Sequence, residues 1–425
     1  MNTTMSTGDT AWILISTALV FLMTPGLAFF YGGLVRRRNV LNTFMMSYVA
    51  IGIVGVIWLL VGYSLAFAPG SPWLGKLTWA GFQGVGQEAE GQYAATIPHL
   101  VFAMFQGMFA IITPALIGGA VVERMTFRAY ALLLALWSII VYSPVAHWVW
   151  AVGGWIRDRG ALDFAGGTVV HITAGSAALV CAWFLGPRQD HGRSPLVPHN
   201  VPFVLLGAGL LWFGWFGFNS GSALAANGLA TLALTTTFAG ATGAMLMWLI
   251  LETIKNGKPS AVGMATGSVV GLVGITPAAG FVTPVSAILI GATAAAISFT
   301  AIQLRTKTSL DDTLDVFACH GMGGITGALL TGVFATKTVN AAGADGLLYG
   351  NPALLVTQAI AVLATMAYSV FVTAGLLFLI RLAIPLRVEL KTELEGLDRH
   401  AHGEEAYHDK TGLGSLGEAV LVGEK

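Results

Sequence analysis

The feature of this sequence that most restricts its fold is a series of apolar runs of about 20 residues, the length of a helix that crosses a bilayer. Reading along the chain gives eleven such runs. We predict spans at residues 12–34, 45–67, 98–122, 128–151, 163–186, 202–226, 229–254, 261–279, 284–305, 315–336 and 353–380. The expected fold class is therefore an all-α membrane protein embedded in a lipid bilayer, with eleven transmembrane helices.

The composition supports a membrane protein and argues against other classes. Hydrophobic residues make up 55% of the chain and charged residues only 10%, whereas a soluble domain needs far more charge. The formal net charge is zero, so we expect no nucleic-acid partner. The 54 glycines suit close helix packing in lipid. Cys181 and Cys319 both lie in apolar runs, which indicates no disulfide framework.

The distribution of basic residues predicts the orientation. If the first span runs from outside to inside, only four of the 21 Lys and Arg residues fall outside, namely Lys76, Arg157, Arg159 and Lys337. The positive-inside rule then predicts an outer N-terminus, an inner C-terminus and an odd number of crossings. The first run lacks a basic segment before it and a cleavage site after it, so we expect a retained helix rather than a signal peptide.

Two spans carry the same pairing of a carboxylate with a histidine eight residues later. Asp163 precedes His171 in the fifth span, and Asp312 precedes His320 in the tenth. An ionisable side chain at membrane depth is costly and therefore indicates function. Five crossings reverse the chain direction, so the pairing predicts two five-helix repeats of inverted topology that share one pathway.

These observations predict two parts of the chain. Residues 1–382 form the transmembrane domain, with approximate repeats 12–200 and 201–336 and the additional eleventh helix at 353–380. Residues 383–425 carry charges of both signs and cannot span a bilayer, so we expect a cytoplasmic C-terminal regulatory tail.

Five long motifs resemble one family, in order along the whole membrane part. They are FQGMFAIITPALI, AHWVW, LDFAGGTVVHI, GWFGFNSGSA and DDTLDVFACHG, and they are similar to the ammonium transporters of the Amt/Mep/Rh family, most of all to bacterial Amt-type members. The resemblance implies an eleven-helix protomer with its own pore, assembled as a homotrimer in the inner (cytoplasmic) membrane. Its implied substrate is ammonium or ammonia, with methylammonium as a further candidate.

The resemblance also assigns roles to residues of the outer half of the pore. Phe109, Trp150 and Ser222 match an ammonium recruitment site, where aromatic faces attract a desolvated cation and a hydroxyl accepts a hydrogen bond. Phe105 and Phe218 match a phenyl gate. Each gate residue lies four positions from a recruitment residue, so the two share a helix face. From the residues alone, packing or interface anchoring remains the commoner role of such aromatics.

His171 and His320 match the family's twin pore histidines, which are expected to share a proton. Neutral imidazole has one donor and one acceptor nitrogen, so a coupled pair can pass a proton along. A satisfied core histidine and a metal ligand are the alternatives. Cys319 adjoins His320, but adjacent helical residues face different ways, so we expect no metal site and no cofactor.

The aspartates at the helix starts suggest a structural role. Asp163 is positioned to accept hydrogen bonds from free backbone amides as a helix cap, which would support the outer site. Asp312 and Asp315 hold comparable positions near the other end of the membrane part, and we expect them to act as caps as well.

The predicted function is uptake of ammonium across the cytoplasmic membrane. The predicted steps are cation recruitment, deprotonation near the phenyl gate, ammonia conduction through an apolar pore, and a proton path along the two histidines. A neutral ammonia channel and an ammonium sensor with little flux are the alternatives. A membrane enzyme is not expected, because the chain offers no plausible nucleophile or metal set.

The tail predicts a regulatory partner. The stretch GLDRHAHGEEAY is similar to the cytoplasmic end of bacterial ammonium transporters, and the resemblance implies a PII-type signalling protein at the cytoplasmic face. The matching residues are Gly396, Leu397, Asp398, His402, Gly403, Glu404 and Tyr407. A simply solvated chain end is the alternative reading.

Overall fold

The computed structural model describes residues 5–193 and 196–407, and this part of the chain is a bundle of long apolar helices. Ten of them are long and apolar enough to cross a membrane. They are α1 (Thr7–Leu34), α2 (Arg37–Phe67), α3 (His99–Val121), α4 (Phe127–Asp158), α5 (Gly167–Leu185), α6 (Val201–Ser220), α7 (Gly228–Asn256), α9 (Pro284–Arg305), α10 (Phe317–Phe334) and α11 (Pro352–Ala383). The all-helical membrane fold is thereby confirmed.

The remaining predicted span, 261–279, contains a shorter apolar helix, α8 (Ala261–Ile275). It is capped at its start by Ser260, whose Oγ accepts a hydrogen bond from Gly263 N at 2.9 Å. Its 15 residues cover less than the usual hydrocarbon thickness of about 30 Å. A series of turns continues the chain beyond its end.

Close approach of helix backbones holds the bundle together. Along the contact of α1 with α6, a Cβ added at Gly33 would lie only 2.7 Å from Val204 N, and one added at Gly207 would overlap the backbone of Phe30. Only glycine allows this separation at these two positions. Small residues provide such packing in lipid, where apolar surface alone gives little preference for helix over lipid contacts.

One end of the bundle, here called the hairpin face, carries a short antiparallel pair of strands, β1 (Ala89–Glu90) and β2 (Ala94–Pro98). Between the strands, Tyr93 Oη donates to Phe67 O at 2.6 Å and accepts from Val152 N at 3.3 Å. One tyrosine therefore ties the hairpin to the end of α2 and to the turn within α4.

The opposite end, here called the tail face, is where the chain after α11 packs back on the bundle. A short helix, α12 (Leu390–Glu395), leads to Asp398, whose carboxylate accepts from Leu41 N at 3.0 Å and Asn42 N at 2.8 Å. Asp398 thus caps the α-helical part of α2, which begins at Val40 after a 3-10 turn. The predicted tail is held against the bundle as far as it is described, and its residues 408–425 lie outside the described part.

A buried ionic cluster joins the helix ends at the tail face. Arg188 donates from Nε to Asp311 at 2.8 Å and from Nη1 to Glu123 at 2.9 Å, and Arg124 lies beside the same aspartate. Burial acts to raise the pKa of Asp311, but the hydrogen bonds and positive charges of the two arginines outweigh it and lower this pKa to about 2. The cluster fixes the ends of α3 and α5 to the segment before α10.

Candidate functional site

The two predicted histidines lie at matching places, in the first turns of α5 and α10. Each of these turns is a wider π-helical turn, Gly167–Ile172 around His171 and Phe317–Met322 around His320. Such turns are rare and are frequently found at functional sites, because they redirect side chains within an otherwise regular helix.

The Asp163 carboxylate anchors the start of α5. It accepts four backbone hydrogen bonds of 2.7–3.1 Å, from the amides of Gly166, Gly167, Thr168 and Val169. Its own carbonyl oxygen accepts from the indole Nε1 of Trp150 at 3.0 Å. The residue expected to support the outer site is therefore bonded both to the turn that carries His171 and to one of the recruitment aromatics.

Asp312 anchors the start of α10 in a weaker version of the same arrangement. Its carboxylate accepts two backbone hydrogen bonds, from Val316 at 3.0 Å and Phe317 at 2.7 Å. Asp315, for which we expected the same capping role, instead adopts a left-handed conformation with φ of 57° and pairs with Arg305 Nε at 2.6 Å. The sequence did not show that this arginine would reach back to it.

The two imidazole rings face each other in the middle of the bundle. The Nδ1 atoms of His171 and His320 are 3.3 Å apart, and the ring centroids are 5.3 Å apart with an angle of 29° between the planes. Glycines four residues after each histidine permit this approach. A Cβ at Gly324 would lie 3.1 Å from the His171 Cβ, and one at Gly175 would overlap the Gly321 backbone.

A narrow apolar space, the central chamber, lies beside the histidine pair, and both rings line it. Its volume is about 10 Å³, which is room for roughly one water-sized molecule. Trp215 stacks on His171 with ring centroids 5.3 Å apart and turns its Nε1 away to Thr276 Oγ1 at 2.8 Å. The lining residues are Met23, Leu27, Phe30, Ile112, Leu116, Val170, His171, Leu211, Trp215, Phe218, Val269 and His320.

A second space, the hairpin-side cavity, brings the three predicted recruitment residues together. It has a volume of about 150 Å³, and Phe109, Trp150 and Ser222 all line it. The rings of Phe109 and Trp150 are perpendicular with centroids 6.0 Å apart. Ser222 donates its hydroxyl proton to Phe218 O at 2.8 Å, which leaves the oxygen lone pairs available as acceptors.

The rings that separate the cavity from the chamber differ from the predicted gate pair. Phe218 lies 4.2 Å from Phe109, centroid to centroid, at an angle of 31°. Phe105 contacts Phe109 edge-on at 5.0 Å and lines neither space. Phe109 borders the cavity and Phe218 the chamber, so this pair lies between the two spaces. Phe105, the other ring of the predicted gate, lies beside Phe109 and not between the two spaces.

A third and larger space, the tail-side vestibule, continues the path. It has a volume of about 990 Å³, and His320 lines both it and the central chamber. Charged side chains border it, including Glu252, Arg305 and Asp315. Within residues 5–193 and 196–407, no three His, Cys, Asp or Glu side chains converge as the ligands of a metal ion would.

Several residues that line the hairpin-side cavity were not predicted from the sequence motifs. Phe102, Gln106 and Phe109 follow one another at spacings of four and three, so they share one face of α3, and this signal was available in the sequence. Arg157 also lines the cavity and donates from Nη1 to Trp150 O at 2.6 Å. Its place depends on the turn within α4, which the end of the predicted span at residue 151 and the pair Gly153–Gly154 indicate, but this local pattern does not show that Arg157 would reach the cavity.

Known proteins with similar sequences and structures bear on the identity of the chain. The profile described as "Ammonium Transporter Family" matches residues 11–407. The "Ammonium transporter" of Bacillus subtilis (strain 168) is 50% identical over 406 residues, which are 95% of this chain and 100% of that protein. "Ammonium transporter Amt1" of Archaeoglobus fulgidus is 46% identical over 404 residues, 95% of this chain and 100% of its own length.

Solved structures agree. The crystal structure of Saccharomyces cerevisiae Mep2 superimposes with a TM-score of 0.85 at 36% identity and covers 91% of this chain and 88% of its own. A structure described as "Sensor Amt Protein" gives a TM-score of 0.86 at 28% identity, covering 93% and 98%. The similarity to known ammonium transporters extends along nearly the whole chain and accompanies the motifs, the helical bundle and the paired histidines. The chain belongs to the ammonium transporter family.

Proposed function

We propose that this chain takes up ammonium across the cytoplasmic membrane by separating the proton from ammonia and moving the two along one histidine-lined pore. The observation that carries the proposal is the His171–His320 pair, with a distance of 3.3 Å between the Nδ1 atoms, in an apolar chamber between two larger cavities. The barrier ring Phe218 covers the pair on its hairpin side, with its centroid 6.1 Å from that of His171.

The first step is capture of the cation in the hairpin-side cavity. Ammonium loses water there, and the faces of Phe109 and Trp150 attract it through their ring quadrupoles, each by about 2 kcal/mol or more when the ion is desolvated. The hydroxyl oxygen of Ser222 accepts one of its N–H groups. Asp163 holds this arrangement in place through its bond to Trp150.

The second step is deprotonation at the barrier formed by Phe109 and Phe218. The central chamber has room for roughly one water-sized molecule, so it admits neutral ammonia but not a hydrated ion, whose charge an apolar lining cannot solvate. Ammonium gives up one proton, which travels along His171 and His320, and ammonia diffuses beside them. Both reach the tail-side vestibule, where ammonium re-forms. The net result is one positive charge moved with each nitrogen.

The proposed architecture has eleven membrane helices, with α8 as the eighth, an outer N-terminus and an inner C-terminus. Matching contacts support two five-helix repeats: α3 packs on α5 as α8 packs on α10, and α5 and α10 cross at paired glycines. The hairpin face is then the outside. We further propose a homotrimer and a PII-type regulator at the tail face, where Asp398 and His402 hold the tail against the start of α2 through hydrogen bonds to Leu41 and Asn42.

The test is the current that ammonium pulses evoke from proteoliposomes on a solid-supported membrane. Wild type is expected to give ammonium currents and no potassium currents. The double variant His171→Ala with His320→Ala is expected to lose the ammonium current, because the proton has no relay through the chamber. His400→Ala is the matched control, since His400 lies on the tail and pairs with Glu395 rather than lining the path.

Two results would contradict the mechanism. A full ammonium current from the double alanine variant would remove the histidines from the proton path. A wild type that binds ammonium but passes no current would instead favour neutral ammonia conduction, or a sensor if ammonia flux measured by vesicle swelling is also absent.

A further inference from the structure

One buried polar group in the hairpin-side cavity has no partner in the fold. Gln106 lies on α3, is only 9% exposed and lines the cavity. Its Oε1 has no hydrogen-bond partner within the described part of the chain. A buried acceptor that folding leaves unpaired costs free energy, so a group that remains in this state at a binding cavity is expected to have a partner outside the protein.

A second buried glutamine shows what a structural role looks like in the same molecule. Gln358, which is 2% exposed, accepts from Leu162 N at 2.7 Å and donates to the carbonyl oxygens of Leu162 and Ala328 at 2.8 and 2.9 Å. Both ends of its amide are used to join three segments. Gln106 makes no such bonds, and its neighbours along the same helix face are Phe102 and Phe109, which also line the cavity.

We propose that Gln106 is a further ligand of the cation, with its amide oxygen accepting one N–H of ammonium in the hairpin-side cavity. The inference rests on the proposed function of that cavity. Phe109 and Trp150 offer π faces and Ser222 offers one oxygen, which together are partners for three N–H groups. Ammonium has four N–H groups, so one of them still lacks a partner. Because Oε1 is itself buried, ligation requires the neutral amide to rotate about its last side-chain bond, so that the oxygen rather than the NH₂ group faces the cation.

This assignment also bears on selectivity. An amide oxygen forms a directional hydrogen bond with an N–H donor, whereas potassium needs several oxygens around it to replace its water. With Gln106 and Ser222 the cavity supplies two side-chain oxygens beside aromatic faces, which suits a hydrogen-bonding cation of this size better than a bare metal ion.

The test compares two near-isosteric variants in ammonium-evoked currents. Gln106→Met removes the acceptor and is expected to raise the half-saturating ammonium concentration about tenfold or more, the ratio associated with one hydrogen bond to a charged group. Its maximal current is expected to stay within about twofold of wild type, because later steps do not involve this residue. Gln106→Glu keeps an acceptor and is expected to hold the half-saturating concentration at or below the wild-type value.

The control is Gln92→Met, a change of the same type in the exposed turn of the hairpin. An unchanged half-saturating concentration in Gln106→Met would overturn the proposal, and so would equal increases in the Met and Glu variants, which would indicate a packing role. If wild type passes no current, the transport proposal fails, yet the ligand assignment is still tested. Ammonium must then raise the unfolding temperature of wild type at lower concentrations than that of Gln106→Met.

Discussion

Replacing Asp163 by Asn tests how the cap at the start of α5 supports the site. The two sides of the carboxylate each accept two backbone hydrogen bonds, from Gly166 and Gly167 at one oxygen and from Thr168 and Val169 at the other. Asparagine has only one side-chain oxygen. Its NH₂ group would face two backbone donors that it cannot satisfy.

The size of the effect follows from these contacts. A hydrogen bond to a charged group contributes about 1.5–3 kcal/mol, so the loss of two predicts a decrease in unfolding free energy of about 3–6 kcal/mol. Because Asp163 is only 9% exposed, water screens these hydrogen bonds little, and the expected decrease in unfolding free energy needs no large correction. Asp312→Asn is the matched control. Each of its oxygens accepts only one backbone bond, so one bond is lost and the expected decrease is about 1.5–3 kcal/mol.

The assay is equilibrium unfolding in mixed micelles by SDS titration, followed by far-UV circular dichroism. Stability is the deciding measurement, because removing a negative charge near the cavity also weakens cation binding whether or not the cap matters. A decrease for Asp312→Asn that equals or exceeds the decrease for Asp163→Asn would refute the reasoning from bond number.

Three further predictions concern charge, pH and the barrier. Arg157 lines the hairpin-side cavity, and no carboxylate of the described residues lies within ion-pair distance of it. Arg157→Gln is therefore expected to lower the half-saturating ammonium concentration about twofold at low ionic strength, because one repelling charge is removed from a hydrated cavity, and by less at high salt. The pKa of Asp311 is lowered to about 2, so its contribution to stability is complete above the ordinary carboxyl pKa of about 4 and is lost as the pH falls from there towards 2. The wild-type unfolding temperature should therefore drop over this interval, and Asp311→Asn should be less stable at neutral pH and lack that part of the drop. Finally, Phe218→Ala is expected to admit water to the central chamber and reduce selectivity against potassium in the current assay, whereas Phe105→Ala should leave selectivity intact; the reverse order would restore Phe105 to the gate.

Much of the fold could be predicted because membrane spans are encoded locally. A run of about 20 apolar residues has few alternatives in a bilayer, where every backbone group must be paired within the segment. The shared spacing of Asp163 to His171 and of Asp312 to His320 likewise identified two equivalent helix starts. The structure brings those histidines together, and it gives the two aspartates four and two backbone partners respectively. Local spacing cannot set that difference.

What the sequence did not reveal depends on contacts between distant segments. Phe105 and Phe109 share one helix face, and their spacing cannot tell which ring meets Phe218 from another helix. In the structure Phe109 lies against Phe218, with ring centroids 4.2 Å apart, and Phe105 lies against Phe109. Gln106 was missed for the opposite reason. Its spacing from Phe109 placed it on the cavity face, but a glutamine in an apolar helix becomes informative only when its partners can be counted, and Gln358 and Gln106 differ in just this respect. Among the buried atoms without a partner in the described residues, Gln106 Oε1 belongs to a residue of the hairpin-side cavity and His171 Nε2 to a residue of the central chamber. An unpaired polar group therefore indicates a substrate contact only where it also borders one of the spaces along the pore.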